Sequence, residues 1–175
     1  MLARLVPLHR AGRSGMPAIM TYEDAVRFHG HSCPGLAIGY RMTVAALAAL
    51  GVGRAEVEEL VAIVENDACG VDAVQVVAGC SFGKGNLVFR DYGKHVYTFF
   101  SRRSGRGVRV VGHRRGMPEA LRDDREGRIR WILTAPEKDV VSCSAAATDV
   151  PAAARVRDSA PCAACGELVM ETKLQ

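Results

Sequence analysis

The sequence has no long apolar run, and it is poor in aromatic residues and in lysine. None of its apolar stretches approaches the roughly 20 residues that a membrane-spanning helix needs. Aromatic residues make up 6% of the 175 residues, and only four of the 23 basic residues are lysine. The balance of 49% hydrophobic and 24% charged residues is typical of a globular domain and excludes disordered and fibrous chains. We therefore expect a soluble protein with one main core.

The first twenty residues contain no acidic residue, and their apolar stretches are too short for a secretory signal. We predict that residues 1–20 are a disordered leader or a misassigned start, with Met16 or Met20 as the true first residue; a targeting role is the alternative. Without an export signal we expect the protein in the cytoplasm. In that reducing compartment its six cysteines favour metal binding or redox chemistry over structural disulfides.

Positive charge is concentrated between residues 102 and 130, where ten arginines stand against four acidic residues. Such a segment attracts polyanions, nucleic acid included. It has neither interleaved aromatic residues nor a base-reading motif, so it supports only general electrostatic attraction. We interpret it as a solvated surface.

Capping residues and hydrophobic periodicity predict two helices near the start of the chain. The first begins at Thr21 and places Ala25, Val26 and Phe28 inward. The second follows Pro34 in the stretch LAIGYRMTVAALAALG, whose last residue is a helix-terminating glycine.

The rest of the pattern predicts a sheet with helices beside it. Residues 59–65 favour a buried strand, and for residues 71–79 we choose a short helix over a strand. Three strands follow, NLVFRD, HVYTFFS and GVRVVG, and their short connections predict antiparallel pairing. A helix broken around Gly127, with Trp131, Ile132 and Leu133 buried, then leads to a last strand, DVVSC. The predicted fold class is α+β, a mostly antiparallel sheet flanked by helices, with a short C-terminal Cys-x-x-Cys appendage.

The stretch FHGHSCPG places His29, His31 and Cys33 within five positions. Cys33 precedes Pro34 at a predicted helix start, where free backbone N–H groups and the helix dipole stabilise a thiolate. Each residue alone is most simply a surface histidine or a buried thiol. Together they favour a nucleophilic or metal-binding site.

Cys69 and Cys80 lie next to glycines in later loops. Imidazole nitrogen and thiolate sulfur are the ligands that zinc selects, and a catalytic zinc keeps an open position beside about three protein ligands. With the histidines and Cys33 they offer enough donors for zinc. Spacing alone leaves open which of them meet in space.

The loop GCSFGKGN resembles a phosphate-binding loop only superficially. Its glycine spacing is one residue too short, and Gly85 stands where a magnesium-binding hydroxyl is required. We therefore exclude nucleotide hydrolysis. Lys84 and its glycines suit recognition of an anionic group, with a solvated lysine as the equal alternative.

Three segments together resemble the FmdE family, the E-type chains of formylmethanofuran dehydrogenase. They are HGHSCPGLAIGYRM, ACGVDAVQVVAGCSFGKGNLVFRDYGK and SGRGVRV, in the order typical of that family. The resemblance covers residues 21–112 and implies an α+β core, commonly a homodimer, with a groove lined by the His/Cys motif and a bound zinc. The groove positions it implies are His29, His31, Cys33, Cys69, Asp72, Gln75, Cys80 and Lys84.

At the other end, PCAACGELV resembles the opening knuckle of a zinc module found in many family members. Cys162 and Cys165 supply two of the four ligands that a closed zinc site needs. Cys143 or a partner chain is a source of further ligands, and a metal-free remnant or a dithiol redox pair are the alternatives. We accordingly divide the chain into a core at 21–143, an Ala/Pro linker at 144–160 and a partial knuckle at 161–175.

Two functions follow from this resemblance. The first is a zinc- and thiol-dependent enzyme, or a component of an oxidoreductase, with Cys33 or Cys69 as the reactive sulfur. Asp72, Gln75 and Lys84 then bind a small anionic or thiol ligand. The second is a non-enzymatic carrier of metal or sulfur that serves a molybdenum or tungsten enzyme. A nucleic-acid-binding regulator is the weakest alternative.

Overall fold

The computed structural model describes residues 20–174, so the predicted leader at residues 1–20 lies almost entirely outside the described residues. Seven strands and five α-helices follow in chain order. The helices are α1 (Tyr22–His29), α2 (Pro34–Leu50), α3 (Gly70–Ala73), α4 (Arg125–Thr134) and α5 (Glu137–Val140). The strands are β1 (Leu60–Val64), β2 (Leu87–Phe89), β3 (Val96–Ser101), β4 (Gly107–Gly112), β5 (Val141–Ala145), β6 (Ser159–Pro161) and β7 (Leu168–Met170). A π-helical turn, Val74–Ala78, continues α3, and none of the described helices is long and apolar enough to cross a membrane.

Five strands form one sheet in the order β2-β1-β3-β4-β5, and β6 and β7 form a separate hairpin. All pairings are antiparallel except that of β1 with β2, so the predicted α+β class with a mostly antiparallel sheet is confirmed. The prediction that β2 pairs antiparallel with β3 is wrong. The chain from β1 to β2 passes through α3, which is long enough for a parallel crossover, and β1 then separates β2 from β3.

The main core lies between α2 and one face of this sheet. Strand residues alternate in direction, so every second residue of β1, β3 and β4 faces the helix. The strand residues in this core are Leu60, Ala62, Val64, Tyr97, Phe99, Val108 and Val110. They pack against the apolar length of α2, including Met42 and Leu47, which are fully buried. Burial of this kind is the dominant stabilising term in folding.

The predicted helix boundaries in the first fifty residues are confirmed. Thr21 and Asp24 form a reciprocal capping box at the start of α1, and Gly51 ends α2 in the left-handed conformation at φ 68°. The inward position predicted for Phe28 is wrong, since its side chain is 58% exposed and only Ala25 of that set is fully buried. Phe28 lies on the solvent side of a short amphipathic helix.

Gly127 does not break the helix in which it lies. The break falls earlier, because Asp124 caps α4 and accepts a hydrogen bond of 2.8 Å from the Gly127 N–H. Ile132 is fully buried, whereas Trp131 and Leu133 are half-buried against the core.

Residues 146–154 lie across the opposite face of the sheet and are called the strap below. Val61, Ile63 and Phe100 form a small apolar cluster there, against which Ala146 and Val150 pack. The strap therefore covers part of the sheet, although its sequence has the composition of a free linker.

Candidate metal centre

His29, His31 and Cys33 converge at the junction of α1 and α2. Gly30 ends α1 with φ 90°, which turns the chain sharply toward the next helix. One donor atom from each of the three side chains lies within 4.8 Å of the others. Among residues 20–174 this is the one group of three or more His, Cys, Asp or Glu donors close enough to share a metal ion.

His29 is held in a definite orientation. Its Nδ1 donates to Asp72 Oδ2 at 2.6 Å, and the Gln75 amide donates to Asp72 Oδ1 at 3.2 Å. The Nε2 atom is left facing the Cys33 Sγ at 3.9 Å. A carboxylate that fixes the imidazole in this way is the usual outer partner of a metal-binding histidine.

The spacing of these donors fits zinc. Bonds of about 2.0 Å to nitrogen and about 2.3 Å to sulfur, at a tetrahedral angle, separate the two donor atoms by about 3.5 Å. The observed separation of 3.9 Å between His29 Nε2 and Cys33 Sγ needs only a small adjustment. Two imidazoles and one thiol are also the donor types that zinc selects.

Cys33 is the N-cap of α2 and is buried. Its sulfur accepts a hydrogen bond of 3.3 Å from the Leu36 N–H. Tyr22 and Ser32 share a hydrogen bond of 2.9 Å between their hydroxyls, which ties the turn to α1. His31 is exposed, so the group is open to solvent on one side.

Cys69 lies beside Cys33 across a gap that glycine keeps open. A Cβ on Gly35 would stand 3.7 Å from the Cys69 sulfur and 3.9 Å from the Cys33 sulfur. Burial raises the pKa of the Cys69 thiol, and the neighbouring Cys33 raises it further. The structure thus brings Cys69, Asp72 and Gln75 to the predicted site.

Cys80 and Lys84 lie elsewhere in the structure. Cys69 and Cys80 stand at opposite ends of the helical segment of α3 and its π-helical turn, about 16 Å apart at 1.5 Å per residue. Cys80 is fully buried in the main core, and burial raises its pKa to about 12. The Lys84 ammonium donates to the carbonyls of Ala55 and Glu56 at 3.4 and 3.3 Å. Neither residue joins the His/Cys group.

Cys162 and Cys165 lie in the turn of the β6–β7 hairpin. The Cys162 sulfur accepts backbone N–H groups of Cys165 and Ala164, which lowers its pKa. The Cys165 thiol donates to Glu167 at 3.6 Å. The turn therefore has the form of a knuckle, but among the described residues no third donor completes it.

A cavity of about 350 Å³ opens beside the His29–Asp72 pair. Its apolar lining comes from Val64, Val71, Phe82, Leu87 and Phe89. Sequence reasoning missed this cavity because its two sides come from β2 and α3, whose parallel crossover was not predicted. The phenylalanine in the GCSFGKGN loop was the available signal, since it is a large apolar residue between glycines.

Sequence reasoning also missed Tyr97 of β3, which lies beneath the centre. Its fully buried hydroxyl has no hydrogen-bond partner among the described residues, and it stands 2.5 Å from where a Cβ on Gly70 would be. Burial, together with the nearby Cys69 and Asp72, raises the pKa of Tyr97.

Comparison with known proteins is consistent with this fold. A protein of Archaeoglobus fulgidus named "Probable S-adenosyl-L-methionine-binding protein" is 46% identical over 90 residues, which are 49% of this chain and 25% of that protein. This chain therefore spans about a quarter of that relative's length. An FmdE-like protein of the tungsten formylmethanofuran dehydrogenase type, from Syntrophus aciditrophicus, is similar in structure, with a TM-score of 0.68 at 24% identity over 86% of this chain and 84% of that chain.

The family match covers the candidate centre itself. The family model described as "FmdE, Molybdenum formylmethanofuran dehydrogenase operon" matches residues 28–142, which is more than half of the chain. This range begins at the FHGHSCPG turn and ends within β5, so it contains every residue of the His/Cys group and of the sheet's core. The chain belongs to the FmdE family.

Proposed function

We propose that this protein binds zinc through His29, His31 and Cys33, and that the open fourth position receives a small thiol ligand. The observation that carries the proposal is the convergence of three zinc-type donors within 4.8 Å. A site with three protein ligands and one open position is the arrangement of reactive rather than structural zinc. Cys69, beside Cys33, is the second sulfur of the centre.

The chain's own residues prepare this site. Asp72 holds the His29 ring so that Nε2 faces the centre, and the Leu36 N–H steadies the Cys33 sulfur. When bound, zinc supplies positive charge that converts a coordinated thiol or water into its anion near neutral pH. The apolar side chains of the adjacent cavity, Val71 and Leu87 among them, limit the water around a ligand there.

The family description and the relatives' names support a role near one-carbon chemistry. We propose that the protein serves a molybdenum or tungsten enzyme in the cytoplasm and works as a homodimer. The role of Lys84 in anchoring an anionic ligand is not carried forward, because its ammonium contacts the carbonyls of Ala55 and Glu56 instead.

A metal or sulfur carrier is the second candidate. The Cys162–Cys165 knuckle favours it, because two thiols in a turn on the protein surface offer an incomplete set of ligands from which metal is readily passed on. A carrier releases one atom per encounter, whereas an enzyme consumes its ligand repeatedly. Turnover of a small thiol compound by catalytic amounts of protein separates the two.

The proposed centre predicts one zinc per chain that depends on the His/Cys group. Elemental analysis of the purified, untagged protein should find this zinc, and His31→Ala and Cys33→Ala should lose it. Asp72→Asn should weaken zinc binding by roughly 10- to 100-fold, because the outer carboxylate no longer orients His29.

Cys143→Ala and Cys162→Ala are the matched controls, since these cysteines lie outside the group, and both should keep the metal. Zinc that persists in folded His31→Ala and Cys33→Ala but disappears in Cys162→Ala would place the metal in the knuckle and contradict the proposal.

A further inference from the structure

The charge of the cavity beside the His29–Asp72 pair is one-sided. Asp67 and Asp72 both line it, and among the described residues its lining holds no lysine or arginine. The second large cavity, of about 560 Å³, is different in kind, because Arg54 and Arg103 line it together with Glu56 and Glu59. An anionic ligand is therefore disfavoured beside the centre.

Two aromatic rings form part of the same lining. Phe82 is 82% exposed and Phe89 is 49% exposed, an unusual degree of exposure for large apolar side chains. The face of an aromatic ring attracts a cation, and quaternary ammonium groups are the ligands that aromatic sites most often recognise in this way. Rings and carboxylates around one cavity therefore favour the same type of ligand.

A metal ion in the centre does not reverse this preference. The Cys33 thiolate and the Asp72 carboxylate offset the charge of a divalent ion bound by His29, His31 and Cys33. Asp67, on the exposed edge of the cavity, then remains as an unbalanced negative charge.

We propose that this cavity binds a small organic cation with alkylated, apolar surroundings, such as a quaternary ammonium or sulfonium group. The cation lies between the Phe82 and Phe89 rings and the Asp67 and Asp72 carboxylates, and the rest of the ligand reaches toward His29 and Cys69. This inference deepens the proposed function and rests on it in one respect, since it takes the cavity to be the ligand side of the metal centre.

Three probes of nearly the same shape test the proposal in the full-length protein. They are choline, its neutral carbon analogue 3,3-dimethylbutan-1-ol, and the anion 3,3-dimethylbutanoate. Titrations followed by amide chemical shifts should show choline binding about tenfold more tightly than the neutral alcohol, and the anion more weakly still. The largest shifts should fall on Ala68, Val71 and Leu87, which line the cavity.

Variants identify the groups responsible. Phe82→Ala and Asp67→Asn should each weaken choline binding about three- to tenfold, because each removes one exposed contact without touching the core. Tyr92→Ala is the matched control, an exposed aromatic residue outside the lining, and should bind choline as the parent protein does.

Equal binding of the alcohol and choline, tighter binding of the anion, no binding of any probe, or shifts confined to other regions would each overturn the inference. Zinc content is measured on the same samples. Selective choline binding without zinc would leave this inference standing and contradict the metal centre, whereas zinc without choline selectivity would do the reverse.

Discussion

Single side chains of this protein often satisfy several backbone groups at once. Glu59 is an example: its two carboxylate oxygens accept the N–H groups of Glu56 and Val57 at 2.6 and 2.9 Å. Partial burial alone would raise the pKa of Glu59, but these hydrogen bonds and the charge of Lys84 outweigh it and lower the pKa. The turn before β1 is thus stabilised by an ionised side chain.

This arrangement predicts a stability that depends on pH. A carboxyl group whose pKa is lowered in the folded state stabilises the fold above its ordinary value of 4.5, and this contribution is lost as the pH falls through the lower, folded value. Glu59→Gln should reduce the free energy of unfolding by about 1 kcal/mol at neutral pH. Below the ordinary carboxyl value, the difference between variant and parent should shrink.

Urea denaturation at the two pH values measures this difference. Glu56→Gln is the neighbouring control, because that carboxylate has no hydrogen bond among the described residues, and its effect should be small. A Glu59→Gln deficit that stays the same at acidic pH would show that the charge does not matter.

Between elements, the decisive contact is the close approach of α2 to α3. A Cβ on Gly39 would stand 2.3 Å from the Gly70 Cα, so the two helices meet backbone to backbone. The Thr43 hydroxyl donates to the Gly39 carbonyl at 2.8 Å within α2. This contact positions Cys69 beside Cys33 and Asp72 beside His29, although each pair is far apart in the sequence.

Gly39→Ala should therefore destabilise the protein by about 2 kcal/mol, although alanine is the better helix former, because backbone atoms must move apart. The displacement should also weaken zinc binding by separating Asp72 from His29. Thermal unfolding and zinc titration measure the two effects.

Gly83→Ala provides the control for this change. No atom lies within 4 Å of the added methyl group there, and stability should be almost unchanged. A stable Gly39→Ala protein with unaltered zinc affinity would contradict the proposed role of the contact.

At the scale of the whole molecule, Arg102 ties the C-terminal region to the sheet. Its guanidinium donates to the carbonyls of Glu58, Pro151 and Ala152 at 2.9, 2.6 and 3.1 Å. The Ala154 N–H also donates to Glu58 Oε2 at 3.0 Å. The strap is therefore fastened to the core before the chain reaches the β6–β7 hairpin.

Removing this fastening should expose the segment that follows it. In Arg102→Ala, trypsin should cleave after Arg155 and Arg157 roughly ten times faster, because local opening becomes easier when these hydrogen bonds are lost. Zinc in the core should be retained.

Arg103→Ala is the control, because this neighbouring arginine is exposed and makes no hydrogen bond among the described residues. Equal cleavage rates in the two variants would show that Arg102 does not hold the strap in solution.

The sequence by itself determined the features that depend on neighbouring residues. Thr21 and Gly51 mark helix ends through local capping, and the FHGHSCPG turn brings His29, His31 and Cys33 together because they lie within five positions. The family resemblance further indicated Cys69, Asp72 and Gln75, and the structure places all three at the centre.

Only the tertiary structure decided how distant segments meet. Cys80 and Lys84 have the same local character as Cys69, yet the helical segment between them carries them away from the centre. The parallel pairing of β1 with β2 creates the cavity beside the centre, and no local pattern encodes it. The physical reason is that periodicity reports which face of an element is buried, whereas the partner of that face is chosen by packing over the whole chain.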